Sequence, residues 1–348
     1  MVWIEGSSLK VKGPREGVAA AYRLAKPFFP FQLAGGHLLG EWGATGEDVP
    51  GHWVVVGLDG TPITRPWDTP EQTLDPSARL TPDGTAVVDG TLVVENEKSS
   101  TRLRSCRLPE FSCAVHVLPG AVDALYPLAF DDVLLLLGDQ GALVRLVKGE
   151  VLWTAERPVS PYAGATIADV QANEVLVLEP LLGAVHVFTL DDGKEVFSWQ
   201  GPGDPKGIAK AFARETWKDA WTARCQAREE LQQGAQRPQG EEQHLMASLL
   251  GLSWGAVARF LPSGDILVIT AGASSSGAVD CRGPRRAFVV SRKEATVTAS
   301  YGLEALLAQP LRESDGSSAF LTGPAAGPWF YCLSDSGCSQ LRLETLRP

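Results

Sequence analysis

The sequence has no run of about 18 apolar residues, the length that a membrane-spanning helix needs. Its apolar run Val133–Leu137 is strand length. The N-terminus, Met1-Val-Trp-Ile-Glu-Gly-Ser-Ser-Leu-Lys10, lacks the basic start and apolar stretch of a secretion signal. We therefore expect a soluble, cytoplasmic protein. Charge is also sparse, at 21% of residues, while glycine (36) and proline (24) are plentiful. Little charge with many turn formers suits short strands and tight turns better than long solvated helices.

Positive charge is short as well. The net charge of −10 repels phosphate backbones, which argues against general nucleic-acid binding. The one dense basic group, Arg282, Arg285 and Arg286, reads as a solvated loop. Cysteine is thinly used: Cys106, Cys113, Cys225, Cys281, Cys332 and Cys338 in 348 residues. With no secretion signal, reduced thiols are expected. Cys332 and Cys338 flank the turn Leu-Ser-Asp-Ser-Gly and are placed to face each other across a hairpin.

Catalytic signatures are missing. The five histidines, His37, His52, His116, His186 and His244, show no paired metal spacing. Cys106, Cys113 and His116 form the one Cys/His group, at a spacing that matches no common zinc module. There is no Gly-x-Ser-x-Gly elbow, no phosphate-cradling loop and no Asp-x-Asp-x-Asp-Gly calcium loop. The pairs Asp131-Asp132 and Asp191-Asp192 sit at turns and read as solvated. The expectation is no catalytic residue, no metal site and no cofactor.

What the sequence does contain is a beat. Gly141–Trp153, Gly183–Trp199 and Val54–Trp67 each read as strand, tight turn, strand, then Trp. Trp67 and Trp153 are 86 residues apart, two steps of 43, and Trp199 follows after 46. The intermediate mark, near residue 110, falls in the strand-like Arg102–Leu108. The beat returns in Ala287–Tyr301 and ends near Leu346. Four short strands every 40–50 residues is the period of propeller blades, whose sheets bury both faces only by stacking on neighbours. Ala86-Val-Val, Thr91-Leu-Val-Val, Val133–Leu137, Glu174-Val-Leu-Val-Leu and Asp265-Ile-Leu-Val-Ile read as buried strands. Thr81-Pro-Asp-Gly84, Leu58-Asp-Gly60, Asp191-Asp-Gly193 and Leu261-Pro-Ser-Gly264 read as turns closed by a positive-φ glycine.

The fold expected is all-β: a single β-propeller of about six blades, or seven, with an inserted α-helical hairpin. Two stacked β-sandwiches are the competing architecture. Residues 1–25 are a strand region that closes the ring or starts a degenerate seventh blade. Residues 26–202 hold blades one to four, 203–252 the insertion, and 253–348 the last two blades. Gly193-Lys-Glu-Val-Phe-Ser-Trp199 and the unit Gly141–Trp153 resemble the repeats of quinoprotein-like propellers. Gly36-His37 with Trp67-Asp68 is similar to one WD40 repeat pair. Both resemblances imply the propeller superfamily and no activity; the adjacent cysteine pair of the quinone enzymes is absent.

The insertion carries the sharpest functional candidate. Ile208, Phe212, Ala213, Trp217, Trp221 and Cys225 recur at steps of about four, one apolar helical stripe. Leu245, Met246, Leu249 and Leu250 mark a second, shorter helix. The segment holds seven acidic and seven basic residues, so the negative excess lies elsewhere. Aromatic stripes either pack on their own fold or dock partners. Phe212, Trp217, Trp221, Leu245 and Leu249 are the expected partner-binding residues, and the expected partner is another protein. The function expected is a non-catalytic protein–protein interaction or assembly module. A channel-face, metal-assisted hydrolase or lactonase and a small-molecule or glycan binder are the alternatives.

Overall fold

The computed structural model describes residues 2–5, 8–11, 20–23, 28–43, 51–95, 98–137, 142–156, 165–179, 184–201, 257–270, 274–276, 279–281, 286–302, 319–322, 330–333 and 337–340. The expected insertion, 203–252, lies outside them. The chain divides into two compact units, Met1–Arg157 and Pro158–Pro348.

Among its described residues, the first unit contains four antiparallel meanders in series. The first sheet pairs β1 (Val2–Glu5), β2 (Ser8–Val11) and β3 (Ala20–Arg23). The second pairs β4 (Phe28–Ala34), β5 (His37–Trp42) and β6 (His52–Gly57). The third runs β7 (Arg79–Leu80), β8 (Ala86–Glu95), β9 (Lys98–Arg107), β10 (Ser112–Pro119). The fourth runs β11 (Val122–Ala129), β12 (Asp132–Leu137), β13 (Ala142–Val147), β14 (Glu150–Glu156). The first strand of each sheet lies against the first strand of the next: β1 on β4, β4 on β7, β7 on β11.

The sheets stack face to face. Leu39 and Val55 of the second meet Leu80, Val87 and Cys106 of the third. On the other face of the third, Val88 and Leu103 meet Leu125, Val133, Leu135 and Val144 of the fourth. The parity of a strand explains this: Val87 and Val88 point to opposite faces and each finds a buried partner. A fully buried Val or Leu contributes about 1.5–3 kcal/mol.

The second unit repeats the pattern. Its sheets are β15 (Thr166–Gln171), β16 (Glu174–Glu179), β17 (Ala184–Thr189), β18 (Glu195–Trp199); then β19 (Val257–Phe260) and β20 (Ile266–Thr270). A separate hairpin of β21 (Ser274–Ser276) and β22 (Val279–Cys281) follows, before β23 (Arg286–Ser291) and β24 (Thr296–Gly302) complete the sheet begun by β19 and β20. The last sheet is β25 (Ala319–Thr322), β26 (Phe330–Leu333), β27 (Gly337–Gln340). Leu176, Leu178, Val185 and Val187 pack on Ala258, Phe260, Ile266 and Val268.

The turns behave as their sequences require. Gly60, Gly84, Gly193 and Gly264 all take positive φ. Two departures from expectation are instructive. Ala86-Val-Val and Thr91-Leu-Val-Val are one ten-residue strand, β8. The intervening Asp89-Gly90 is not a turn, because the Asp89 carboxylate is drawn inward by Arg104. The mark near residue 110 falls in the hairpin between β9 and β10, and the third sheet continues to Pro119.

Candidate interaction surface

Phe212, Trp217, Trp221, Leu245 and Leu249 lie outside the described residues. The described chain carries other features from which a surface can be built.

Cys106 and Cys113 form a disulfide with Cα atoms 4.1 Å apart, which corrects the expectation of reduced thiols. They are directly paired positions of β9 and β10. The ladder sets their geometry. Gly120 donates its N–H to the Ser99 carbonyl, so hydrogen-bonded pairs alternate from there and Cys113 opposite Cys106 is a non-hydrogen-bonded pair. Side chains are closest at such pairs. His116 lies on the opposite face of β10, at odd spacing from Cys113, so the three cannot converge on one ion. Its ring rests instead against Gly149, at the β13–β14 turn. At the backbone level, Cys332 and Cys338 are likewise directly paired, in β26 and β27.

The outer strands carry exposed apolar side chains. Val115 and Val117 on β10 are 44% and 69% exposed, and Val151, Leu152 and Val196 on β14 and β18 are also exposed. Leu92 and Val94 stand out from β8. Contiguous exposed apolar side chains beside a well-buried core mark interaction surfaces more often than chance. The alternation in Cys113-Ala-Val-His-Val-Leu was legible in the sequence. Which face it offers to solvent was not, because that depends on where the neighbouring sheet stops.

A second group is aromatic. Trp42 stacks on the exposed Trp67 at 6.0 Å and tilts against Phe28 at 5.9 Å. Phe31 meets Trp53 edge-on at 5.5 Å, with the Arg79 guanidinium 4.5 Å over its ring. Burial pulls the Arg79 pKa down to about 10. Its Nη1 donates to the carbonyls of Ser77 and Ala78.

Charged side chains are paired into the sheets. Asp132, expected to be solvated, accepts two bonds from Arg145 at 3.0 and 2.7 Å. Glu174 takes a bidentate pair from Arg292. His186 has Nδ1 2.6 Å from Glu195 Oε1 and Nε2 3.5 Å from Glu179. Among the described residues, no group of three or more His, Cys, Asp or Glu is arranged to hold a metal ion. None of their helices is long and apolar enough to cross a membrane.

No protein-family model matches the sequence, and no curated protein matches it. Solved structures do. The WD40 β-propeller domain of Doa1 is 10% identical over 98% of this chain and 91% of that one, with a TM-score of 0.40. A streptogramin B lyase structure is 10% identical over 97% and 86%, with a TM-score of 0.49. The β-propeller domain of the Trilobed protease from Pyrococcus furiosus is 10% identical over 88% and 79%, with a TM-score of 0.42. The protein is an all-β chain of serial antiparallel sheets, similar in structure to β-propeller proteins.

Proposed function

We propose that the chain is a β-propeller that serves as a non-catalytic protein–protein interaction or assembly module. The observation that supports this is the set of exposed apolar residues on its outer strands, above all Val115 and Val117. Among the described residues, seven sheets of three or four strands occur in series, with the first strand of one against the first strand of the next within each unit. That arrangement favours seven blades over six, with β1–β3 as the blade that the first 25 residues begin. The insertion 203–252, with Phe212, Trp217, Trp221, Leu245 and Leu249, is the proposed docking element for a protein partner. Its neutral charge and aromatic stripe suit an interface core, where charge is depleted and aromatics are enriched.

The test is deletion of residues 205–250. The variant is expected to keep the far-ultraviolet circular dichroism of the sheets and to lose partner co-purification. Retained co-purification removes the insertion from the docking role.

A further inference from the structure

The edge strand of the third sheet has a chemistry of its own, and the inference drawn from it rests on the interaction-module reading and specifies its partner. β10 is the last strand of the order β10-β9-β8-β7, and no described strand pairs with its outer side. The ladder alternation places Leu118, His116 and Ala114 in the bonds to β9. Cys113, Val115 and Val117 therefore turn their N–H and C=O groups outward. Pro119, which has no N–H to give, falls at a position that needs none.

Natural edges are usually guarded by charge, proline or bulges. β14 has Glu150 and Glu156 at its ends and β18 begins at Glu195; β24 is uncharged but its pairing carries a register shift, whereas β10, Ser-Cys-Ala-Val-His-Val-Leu-Pro, has neither guard. It runs for eight residues without a register shift. The cystine fixes its register on β9 and prevents it from fraying. The edge is thus open, apolar and held in an extended form.

Charge decides the occupant. In a chain of net charge −10, residues 98–119 hold Lys98, Arg102, Arg104 and Arg107 against one acid, Glu110. Arg102 lies directly opposite Val117, on the same face of the sheet. It is exposed, and no described acidic residue pairs with it. Arg104, opposite Val115, is already engaged by Asp89. The face beside the open edge is therefore apolar, with a cation next to it that no described acidic residue engages.

We propose that β10 is the docking edge for an acidic, extended peptide segment of a partner protein, which adds to the third sheet as a further strand. Main-chain bonds form to Cys113, Val115 and Val117. Alternate apolar side chains of the segment lie on Val115 and Val117, and a carboxylate reaches Arg102.

The experiment uses the full chain and a fluorescein-labelled synthetic decapeptide, Thr-Val-Thr-Glu-Thr-Val-Thr-Glu-Thr-Val, whose valines and glutamates share one face of the strand, read by anisotropy. The wild type is expected to bind saturably, and binding is expected to weaken with salt. Val115→Pro removes an outward N–H and no bond to β9, as edge strands tolerate. It is expected to abolish binding with the circular dichroism unchanged. Arg102→Glu, a surface substitution that leaves the ladder intact, is expected to weaken binding about tenfold, and a valine–lysine probe is expected not to bind. Undiminished binding to either variant, or equal binding of the lysine probe, overturns the proposal. So does a homodimer in light scattering that Val115→Pro splits, because the edge then belongs to a second copy. If the wild type ignores the probe while deletion of 205–250 still abolishes co-purification, the edge proposal fails and the interaction module stands.

Discussion

The Asp169 carboxylate on β15 accepts the backbone N–H of Phe260 on β19 at 3.0 Å, joining the first strands of two successive sheets across 91 residues of sequence. The first unit has the same device. Gln32 on β4 donates to the Leu80 carbonyl at 3.0 Å and accepts the Leu80 N–H at 2.8 Å. Both side chains follow a register shift, between Pro30 and Gln32 and between Ile167 and Asp169. A bulge re-aims the next side chain, and here it aims an acceptor at the neighbouring sheet.

Asp169 gives the first prediction. Burial raises its pKa, outweighing Arg259 and the N–H groups of Phe260 and Val170. A raised value in the fold means that the charged form is disfavoured there. The stability that the protonated form brings is present below the ordinary value of 3.8 and disappears as pH rises through the raised one. Asp169→Asn keeps an acceptor and does not titrate. In urea unfolding it is expected to gain on the wild type between acidic and neutral pH, ending within about 1 kcal/mol of it. Asp169→Ala leaves Phe260 without its acceptor and is expected to cost about 1–3 kcal/mol. A variant-to-wild-type difference independent of pH counts against this account.

Gly149 gives the second. Its φ is +80°, and a Cβ there would lie 2.2 Å from His116 Nδ1. Gly149→Ala is expected to cost about 1–2 kcal/mol for the left-handed backbone, with the displacement of His116 in addition. In a His116→Ala background only the backbone cost remains. A double-mutant cycle by thermal unfolding is expected to show that difference; strict additivity rules out the contact.

Arg104 gives the third. It bonds to Asp89, whose side chain is 2% exposed, and to the carbonyls of Glu71 and Thr73 at 2.8 and 2.6 Å. It thereby holds the segment before β7 onto the third sheet. Arg104→Ala strands a buried carboxylate and is expected to cost about 3–5 kcal/mol in urea unfolding. Arg104→Lys keeps the charge but lacks the planar fork that reaches three acceptors, and is expected to recover less than half of the loss. Full recovery by lysine makes charge alone sufficient and removes the clamp.

Much of the sheet pattern was legible. Val133–Leu137, Glu174–Leu178 and Ile266–Ile269 announce central strands because a strand buried on both faces must be continuously apolar. Trp153 and Trp199 both fall on the fourth strand of their sheets. Trp67, the third mark of the same beat, lies in no strand and stacks on Trp42 instead. Turn glycines read correctly because positive φ is a local requirement. Asp89-Gly90 has the composition of a turn yet continues β8, and the Asp89 carboxylate accepts from Arg104, fifteen residues on. Of the surface, the Val115–Val117 alternation and the helical stripe at Phe212, Trp217 and Trp221 are both written in the sequence; the exposure of Val115 and Val117 is not, because it depends on where the neighbouring sheet ends.

The sequence by itself determined an all-β chain of short strands, their approximate order and the turns between them. Strand parity and glycine conformation act over a few residues, so they are written locally. Tertiary structure alone decided that Cys106 meets Cys113, that Asp169 and Gln32 join successive sheets, and that Val115 and Val117 lie open beside Arg102. Each of those depends on which sheet lies beside which and where it ends, and that is set by packing between segments distant in the chain.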